Sequence, residues 1–448
     1  MRLSAPPPVL FFASAAHGLH HVLLALYLTL VLAIAPAWRL PYNHLIALWT
    51  LGAMLVGVGA PVAGWLADRI GETKMLVLCF LGLGASAMLC GLAQNTTQLE
   101  GALALLGLSG SIYHPVGFSW VVKHARIRGR AVAETGIAGS IGVALGPVMA
   151  AGIASLWGWQ AAFMAPGALT FALGVVLLGF YLAGRIVDRA GDAAPPSAEH
   201  SRADATRAFA VLSITMTATL MLYAAFGTAL PKLVQLSGMT AASNLFLVGI
   251  VTGAIQLLGA GAQFVGGHFA DRGIARQAYV LAFAGLALAF PFVAFSHGWA
   301  MGVAAVLVIF LFEATAPLET MLLARYTPAA RRGTVFGIRY GLSAIGTPAG
   351  VWLVARLYNG SAHFLYLLMT LAVAAALAGA AALLLPADAR SLARVRKTPD
   401  EAFASTARGT MEESRTSDSP SPVRPDTVFI GAQVREKLPR PEMNRINP

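Results

Sequence analysis

The sequence contains few charged residues and almost no cysteine. Only 11% of its 448 residues are Asp, Glu, Lys or Arg, whereas a soluble domain carries about a quarter. The two cysteines, Cys79 and Cys90, lie in one apolar run, about 16 Å apart along a helix, which exceeds the reach of a disulfide. The composition therefore excludes both an ordinary soluble fold and a small disulfide-rich fold.

Several functional patterns are also missing. No GxxxxGK[ST] loop is present, so we expect no ATP-driven step within this chain. No aromatic-interleaved basic face supports nucleic-acid binding, although the net charge is +11. Period-two alternation is absent, which argues against a transmembrane barrel. We find no convergent nucleophile–base set or metal cluster, so we predict a protein that is not an enzyme and that holds no cofactor or metal.

What the chain does contain is a series of long apolar runs. Runs of about 18 or more residues, each long enough to cross a bilayer as a helix, recur up to Pro386. They predict an all-α polytopic membrane protein with twelve transmembrane helices. The predicted spans are 9–35, 43–67, 75–94, 98–121, 131–156, 160–184, 208–233, 243–269, 277–296, 299–322, 334–357 and 362–386.

The basic residues collect in alternate loops between these runs. This asymmetry predicts a multi-pass protein, which we expect in a bacterial inner membrane with both termini in the cytoplasm. The basic loops contain Arg69 and Lys74; Lys123, Arg126, Arg128 and Arg130; Arg185, Arg189, Arg202 and Arg207; Arg272 and Arg276; and Arg325, Arg331 and Arg332.

A repeated phrase divides the chain into two halves. GWLADRIGETK contains Asp68, and the similar GGHFADRGIAR contains Asp271; Gly142 and Gly346 repeat the offset. This repetition predicts two pseudo-symmetric six-helix bundles, at 1–184 and 208–386. A hydrophilic linker at 185–207 joins them on the cytoplasmic side, and the polar segment 387–448 is expected to be a disordered cytoplasmic tail.

The first phrase resembles the loop signature of the major facilitator superfamily, between its second and third helices. Glu72 stands where that family usually has a basic residue. The resemblance covers nearly the whole chain up to Pro386 and implies the major facilitator fold, with a latch that closes the two halves on the cytoplasmic side. The latch residues are Gly64, Asp68, Arg69, Gly71 and Lys74, with Asp271 and Arg272 in the second copy. We expect the first copy to be the stronger latch.

Two further motifs indicate a branch of the family. Gly142, Gly146 and Pro147 on span five are similar to the motif of exporter branches, and generic packing by small residues is the alternative. Tyr113-His114-Pro115 on span four resembles the fosmidomycin-resistance branch, which exports small antibiotics. Pro115 interrupts the backbone hydrogen bonding of its helix. The span-four arginine of other drug exporters is absent, which argues against an ordinary multidrug exporter.

The ionisable residues inside the spans are the candidates for a substrate and proton pathway. His17, His20 and His21 share one face of span one. A cavity-lining or proton-handling role and satisfied packing are equally good interpretations, whereas metal binding is disfavoured because no acidic or cysteine partner stands at ligand spacing. Glu313 and Glu319 lie on span ten, and their spacing predicts that at most one faces the cavity; Glu313 is preferred. Arg339 on span eleven is a partner for either acid or for an anionic substrate.

These features predict a monomeric, proton-coupled secondary transporter that works by alternating access and exports a small organic compound or antibiotic. The alternative is an importer or facilitator for a metabolite, such as an organic anion attracted by His114 and Arg339. A sensor that signals through the tail would need a folded output domain, and the tail shows no sign of one.

Overall fold

All the regular structure is α-helical in the part of the chain that the computed structural model describes, which comprises residues 5–125, 128–188, 202–241, 243–327, 341–358 and 364–386. The helices are α1 (Pro7–Trp38), α2 (Tyr42–Ile70), α3 (Glu72–Leu92), α4 (Thr96–Gly110), α5 (Tyr113–His124), α6 (Arg128–Leu182), α7 (Arg202–Leu236), α8 (Leu245–Ala260), α9 (Ala262–Asp271), α10 (Ala275–Phe295), α11 (Gly298–Tyr326), α12 (Ser343–Leu357) and α13 (Leu365–Ala382).

These helices account for the twelve predicted spans. Nine stretches of the described residues are long and apolar enough to cross a membrane, and one of them, within α6, holds two spans. Span four is divided into α4 and α5, and α12 is the described part of span eleven. The first part of span eleven, 334–340, lies outside the described residues, as do residues 328–333 before it, most of the predicted linker and the whole predicted tail.

Proline and glycine account for the interruptions. Span four breaks just before Pro115, where Ser111 and Ile112 separate α4 from α5, as expected of a residue that has no backbone donor. Helix α6 turns at Gly158, whose φ of 86° and ψ of 163° suit a glycine and separate span five from span six.

Helix α7 begins earlier than predicted. It starts at Arg202, inside the segment assigned from sequence to the linker. Alanines alternate with charged residues here, and Asp204 lies in the first turn, where the helix dipole favours a negative charge. Because these residues are polar, the hydropathy pattern did not reveal that the helix begins before the apolar run.

The outer surface of the helices is apolar. Large side chains such as Phe264 (77% exposed), Leu288 (76%) and Trp157 (69%) point away from the protein. A soluble protein does not expose this much apolar surface, whereas a bilayer solvates it.

The two halves repeat one helix contact. On span five, a methyl group on Gly142 would overlap the carbonyl oxygen of Gly18 on span one, and one on Gly146 would lie 2.6 Å from the Ala25 methyl. On span eleven, a methyl on Gly346 would lie 2.6 Å from the carbonyl oxygen of Thr217 on span seven. The glycines therefore allow span five to pack closely on span one, and span eleven on span seven.

Two further close contacts join the halves. A methyl on Gly249 of span eight would lie 2.5 Å from the carbonyl oxygen of Pro147 on span five, and one on Gly57 of span two would overlap the backbone of Ala344 on span eleven. Spans two and eleven, and spans five and eight, thus form two similar pairs across the boundary between the halves.

The halves also meet at the end of the bundle away from the basic loops, which we term the far end. The Tyr42 hydroxyl donates to the carbonyl oxygen of Thr228 at 3.2 Å, and the Tyr42 ring packs edge-on against Tyr358 with centroids 5.0 Å apart. The Lys232 ammonium lies 5.7 Å from the Tyr42 ring. These aromatic and polar contacts hold the two halves together at the far end.

Candidate functional site: two adjoining cavities between the halves

Two cavities lie between the halves, and they share part of their walls. The first, the apolar cavity, has a volume of about 350 Å³ and is lined mainly by aliphatic and aromatic side chains, including Leu24, Leu28, Trp49 and Val56. The second, the acidic cavity, has a volume of about 410 Å³ and contains Glu313 and Glu319. The residues His21, His114, Val143, Leu220, Tyr223 and Gln256 line both.

The lining comes from both halves. Spans one, four, five, seven, eight, ten and eleven each contribute residues to one cavity or the other. Span two also contributes, through Trp49, Ala53, Val56 and Ala60, which the sequence analysis did not include.

Four histidines cluster on the wall that the first half provides. His17, His20 and His21 project from span one and meet His114 of span four; the ring of His114 lies 5.4 Å from that of His17 and 5.0 Å from that of His20. His17 and His20 are buried, with 5% and 2% of their surface exposed. Helical spacing placed three of the rings on one face, and the break before Pro115 brings the fourth to them.

The hydrogen bonds of His17 define its tautomer. Its Nδ1 lies 2.8 Å from the carbonyl oxygen of Thr135 on span five. Because a carbonyl oxygen only accepts, Nδ1 carries the hydrogen and Nε2 presents a lone pair. His21 Nε2 lies 3.2 Å from this atom and can donate to it. His20 Nδ1 is buried and has no hydrogen-bond partner among the described residues.

The second half places its acids opposite the histidines. The Glu313 carboxyl accepts a 2.6 Å hydrogen bond from the side-chain amide of Gln263 and lies 3.5 Å from the Tyr223 hydroxyl. The Gln263 nitrogen also lies 3.5 Å from Ser140 Oγ on span five. Glu313 is therefore linked through one amide to a residue of the other half.

Glu319 also lines the acidic cavity, so both acids face this space, whereas their spacing predicted that at most one would face the central cavity at substrate depth. Glu319 Oε1 accepts hydrogen bonds of 2.8 Å from Thr219 on span seven and from Tyr279 on span nine. The cavity is long enough to include residues nearly two helical turns apart, which the angular argument did not consider. Glu319 is 5% exposed, so Glu313 is the more accessible acid.

Other predicted pathway residues lie elsewhere. Tyr113 is buried behind the cavity, where its ring stacks on His17 at 4.6 Å and its hydroxyl donates to the carbonyl oxygen of Ala13. It supports the histidine cluster and is not among the residues that line either cavity. Arg339 lies outside the described residues.

Sequence reasoning missed the polar partners of the acids. Gln263, Gln256 and Tyr223 line the cavities beside the predicted residues. An amide or a phenol within an apolar span could have identified these residues as candidates, because buried polar groups in a membrane require hydrogen-bond partners. The identity of those partners depends on how spans of the two halves meet, which sequence spacing does not give.

The predicted latch residues lie at the basic end, the end of the bundle that carries the basic loops. Asp68, Arg69, Asp271 and Arg272 are exposed there, and Arg69 stacks on Trp65 with its guanidinium 3.7 Å from the ring. Within the described parts of the chain, no hydrogen bond or ion pair joins Asp68 or Asp271 to the opposite half. A methyl on Gly64 would lie 3.6 Å from Pro115, an ordinary van der Waals distance, whereas a methyl on Gly57 would overlap the backbone of Ala344.

Gly71 and Glu72 have local roles at this end. Gly71 has a φ of 101°, and a side chain there would overlap Asp188, which accepts hydrogen bonds from the backbone and hydroxyl of Thr73 at 3.0 and 2.6 Å. Asp188 thus caps the first turn of α3. Glu72 forms an ion pair of 3.0 Å with Lys123 and also accepts from Ser119.

Comparison with known proteins identifies the family. The model of the Major Facilitator Superfamily matches residues 9–318 and, in a second match, 247–436. The chain belongs to the major facilitator superfamily. The predicted fold class, two pseudo-symmetric bundles with twelve transmembrane helices in all, is therefore confirmed.

Curated relatives in this superfamily are multidrug transporters. The chain is 28% identical over 120 residues to a multidrug resistance protein B homolog of Mycobacterium tuberculosis, 29% over 208 residues to the multidrug efflux pump LfrA of Mycolicibacterium smegmatis, and 27% over 320 residues to the multidrug resistance protein MdtG of Proteus mirabilis. The alignments cover 26%, 46% and 68% of this chain and 22%, 36% and 77% of those proteins. The chain thus spans less than two thirds of the first two relatives.

Solved structures share the fold. A bacterial homologue of the human lysosomal transporter Spinster, in an inward-facing and occupied conformation, superposes with a TM-score of 0.64 and 14% identity, covering 86% of this chain and 95% of that one. Its unoccupied inward-facing form gives a TM-score of 0.59 at 13% identity, covering 84% and 94%. At this level of identity the likeness establishes the architecture alone.

Proposed function

We propose that this superfamily member is a proton-coupled exporter of small lipophilic compounds that are neutral or positively charged. The observation that carries the proposal is the pair of adjoining cavities: the acidic cavity holds two carboxyl groups, and the apolar cavity provides the surface to bind an organic molecule. The relatives named for multidrug resistance and efflux support export.

The chemistry of the lining favours a cation over an anion. No Lys or Arg lies among the described residues that line either cavity, whereas Glu313 and Glu319 do. Aromatic rings such as Trp49 and Tyr223 add surfaces that attract cations. The organic-anion importer considered from sequence rested on His114, which lines both cavities, and on Arg339, which lies outside the described residues.

The proposed cycle exchanges protons for substrate. Substrate enters from the cytoplasm while Glu313 gives up its proton, since a cationic compound and a proton compete for the same carboxylate. The two halves then rock about the paired spans two and eleven and five and eight, and this motion opens the far end. Release of substrate and uptake of a proton at Glu313 return the protein to the starting conformation.

The latch predicted from sequence acts in the part of this cycle in which the basic end is closed. We propose that Asp68, Arg69, Asp271 and Arg272 are exposed while the basic end is open and form contacts between the halves when it closes. Their exposure at the basic end, together with the contacts between the halves at the far end, is compatible with a protein open to the cytoplasm. Both termini would then lie in the cytoplasm of a bacterium, with the protein in its inner membrane.

Everted membrane vesicles test this function. Vesicles that contain the protein, with an interior made acidic, should accumulate the cationic dye ethidium, and an uncoupler should abolish the accumulation. Vesicles from the same cells without the gene provide the background. Uptake that ignores the pH gradient and survives the combined changes Glu313→Gln and His114→Ala would overturn the proposal. Accumulation only in right-side-out vesicles would indicate an importer.

A further inference from the structure

The histidine cluster provides a second kind of chemistry that proton coupling does not require. We propose that His17, His21 and His114 form a binding site for a late first-row divalent cation, of which Zn²⁺ is the model ion. The inference concerns binding to the resting protein and goes beyond the proposed transport function.

The spacing of the three imidazoles suits a metal ion. One ligand nitrogen from each of His17, His21 and His114 lies within 4.8 Å of the others. His17 Nε2 and His21 Nε2 are 3.2 Å apart, and two nitrogens bound to tetrahedral zinc at 2.0–2.1 Å are separated by about 3.3 Å. Two ligands therefore already have the separation that zinc requires, and His114 offers the third nitrogen within 4.8 Å of them.

His17 also has the orientation of a metal ligand. Its Nδ1–H donates to the carbonyl oxygen of Thr135 at 2.8 Å, which fixes the ring and leaves the Nε2 lone pair available to an ion once His21 no longer donates to it. A backbone carbonyl that holds the second ring nitrogen in this way is characteristic of zinc-bound histidine. His21 becomes a ligand by moving its hydrogen from Nε2 to Nδ1, a change of tautomer that requires no change in charge.

The ligand set determines the class of ion. Neutral imidazoles favour Zn²⁺, Cu²⁺, Ni²⁺ and Co²⁺ over Mg²⁺ and Ca²⁺, which prefer oxygen ligands. Three protein nitrogens leave a fourth position open, as in sites where zinc retains a water molecule.

An ion can reach the site from the cavities. His21 and His114 line both cavities, and His17 lines the acidic cavity, so the three rings face the same space. The open fourth position would point into the volume that the transported molecule occupies. A bound ion would therefore lie beside the substrate path.

Metal titration of the purified full-length protein tests this site. The protein is isolated through a tag without histidine and titrated with Co²⁺ alone, then with Zn²⁺ as a competitor. We expect one Co²⁺ per chain with the strong visible absorption of a four-coordinate ion, displaced by Zn²⁺. His17→Ala, His21→Ala and His114→Ala should each weaken binding at least about 100-fold, since each removes a ligand.

Two controls keep the result interpretable. His44→Ala and His268→Ala remove exposed histidines far from the cluster and should leave binding unchanged. His114→Cys replaces one ligand by another, so it should retain the ion and add a sulfur-to-cobalt charge-transfer band, which a merely structural role cannot produce. The proposal would be overturned if the unaltered protein shows no saturable Co²⁺ binding, or if the three alanine variants bind Co²⁺ as tightly as the unaltered protein. The titration uses no transport substrate and no pH gradient, so its failure leaves the transport function untouched.

Discussion

Gln263 on span eight donates a hydrogen bond of 2.6 Å to Glu313 on span ten, and the same nitrogen lies 3.5 Å from Ser140 on span five. The principal acid of the cavity is thus connected, through one amide, to the opposite half of the molecule. If the two halves move relative to each other, the distance between the Gln263 nitrogen and Ser140 changes. Protonation of Glu313 removes the negative charge that receives the amide hydrogen. In the proposed cycle, the protonation state of Glu313 and the relative position of the halves would therefore be coupled through Gln263.

Glu313→Gln should separate binding from coupled transport. The glutamine retains the size and an oxygen acceptor for Gln263 but carries no titratable proton. We expect ethidium still to bind, while accumulation driven by a pH gradient falls to the background level. Dye binding is measured by fluorescence of the purified protein and accumulation in everted vesicles. Glu134→Gln is the matched control, because Glu134 pairs with Arg130 at 2.8 Å outside the cavities. Accumulation that persists in Glu313→Gln would show that this acid is not the coupling group.

Gly142→Ala should destabilise the first half. A methyl group there would overlap the carbonyl oxygen of Gly18 on span one, and such overpacking costs about 1–3 kcal/mol. Gly179→Ala is the control, since open space surrounds Gly179 and the gain in helix propensity is the same. The measurement is the melting temperature in detergent, which should fall for Gly142→Ala and not for Gly179→Ala. Equal melting temperatures would contradict the close packing of spans one and five.

Exchanging the charges of Glu72 and Lys123 should restore the stability that either single substitution removes. Glu72 is 5% exposed and Lys123 is 26% exposed in their 3.0 Å ion pair. Glu72→Lys leaves two positive charges together and should cost about 1–2 kcal/mol, because Lys123 retains contact with solvent. The double change Glu72→Lys with Lys123→Glu should recover most of the loss. The melting temperatures of the four proteins measure the coupling, and an additive loss would mean that the pair contributes no specific interaction.

A cross-link between cysteines that replace Tyr42 and Tyr358 should hold the far end closed. The two rings pack edge-on with centroids 5.0 Å apart. In a protein with Cys79→Ala and Cys90→Ala, Tyr42→Cys with Tyr358→Cys should react with a short bifunctional thiol reagent, and transport should stop until the link is reduced. Each single cysteine variant is the control for simple modification. Transport that continues at full rate in the cross-linked protein would argue against opening at this end.

The limits of sequence reasoning follow from particular residues. Hydropathy and loop charge located the spans, and helical spacing placed His17, His20 and His21 on one face, but it did not predict that His114 meets them. Glu72 departs from the family pattern because it pairs with Lys123, a partner on a different span that spacing alone does not reveal. Asp188, which caps α3, and Gln263, which binds Glu313, were missed for the same reason. Contacts within one helix are predictable from periodicity, whereas contacts between spans depend on the packing of the whole bundle.

Competition between substrate and proton at Glu313 is the central claim, and it can be tested on the purified protein without a membrane. Ethidium is added to the purified protein in weakly buffered detergent solution, and released protons are followed with a pH indicator. The account predicts release of about one proton for each dye bound, since binding a cation to the cavity displaces the proton linked to it. In Glu313→Gln, dye should bind without proton release. Binding that releases no proton from the unaltered protein, or equal release from Glu313→Gln, would contradict the account.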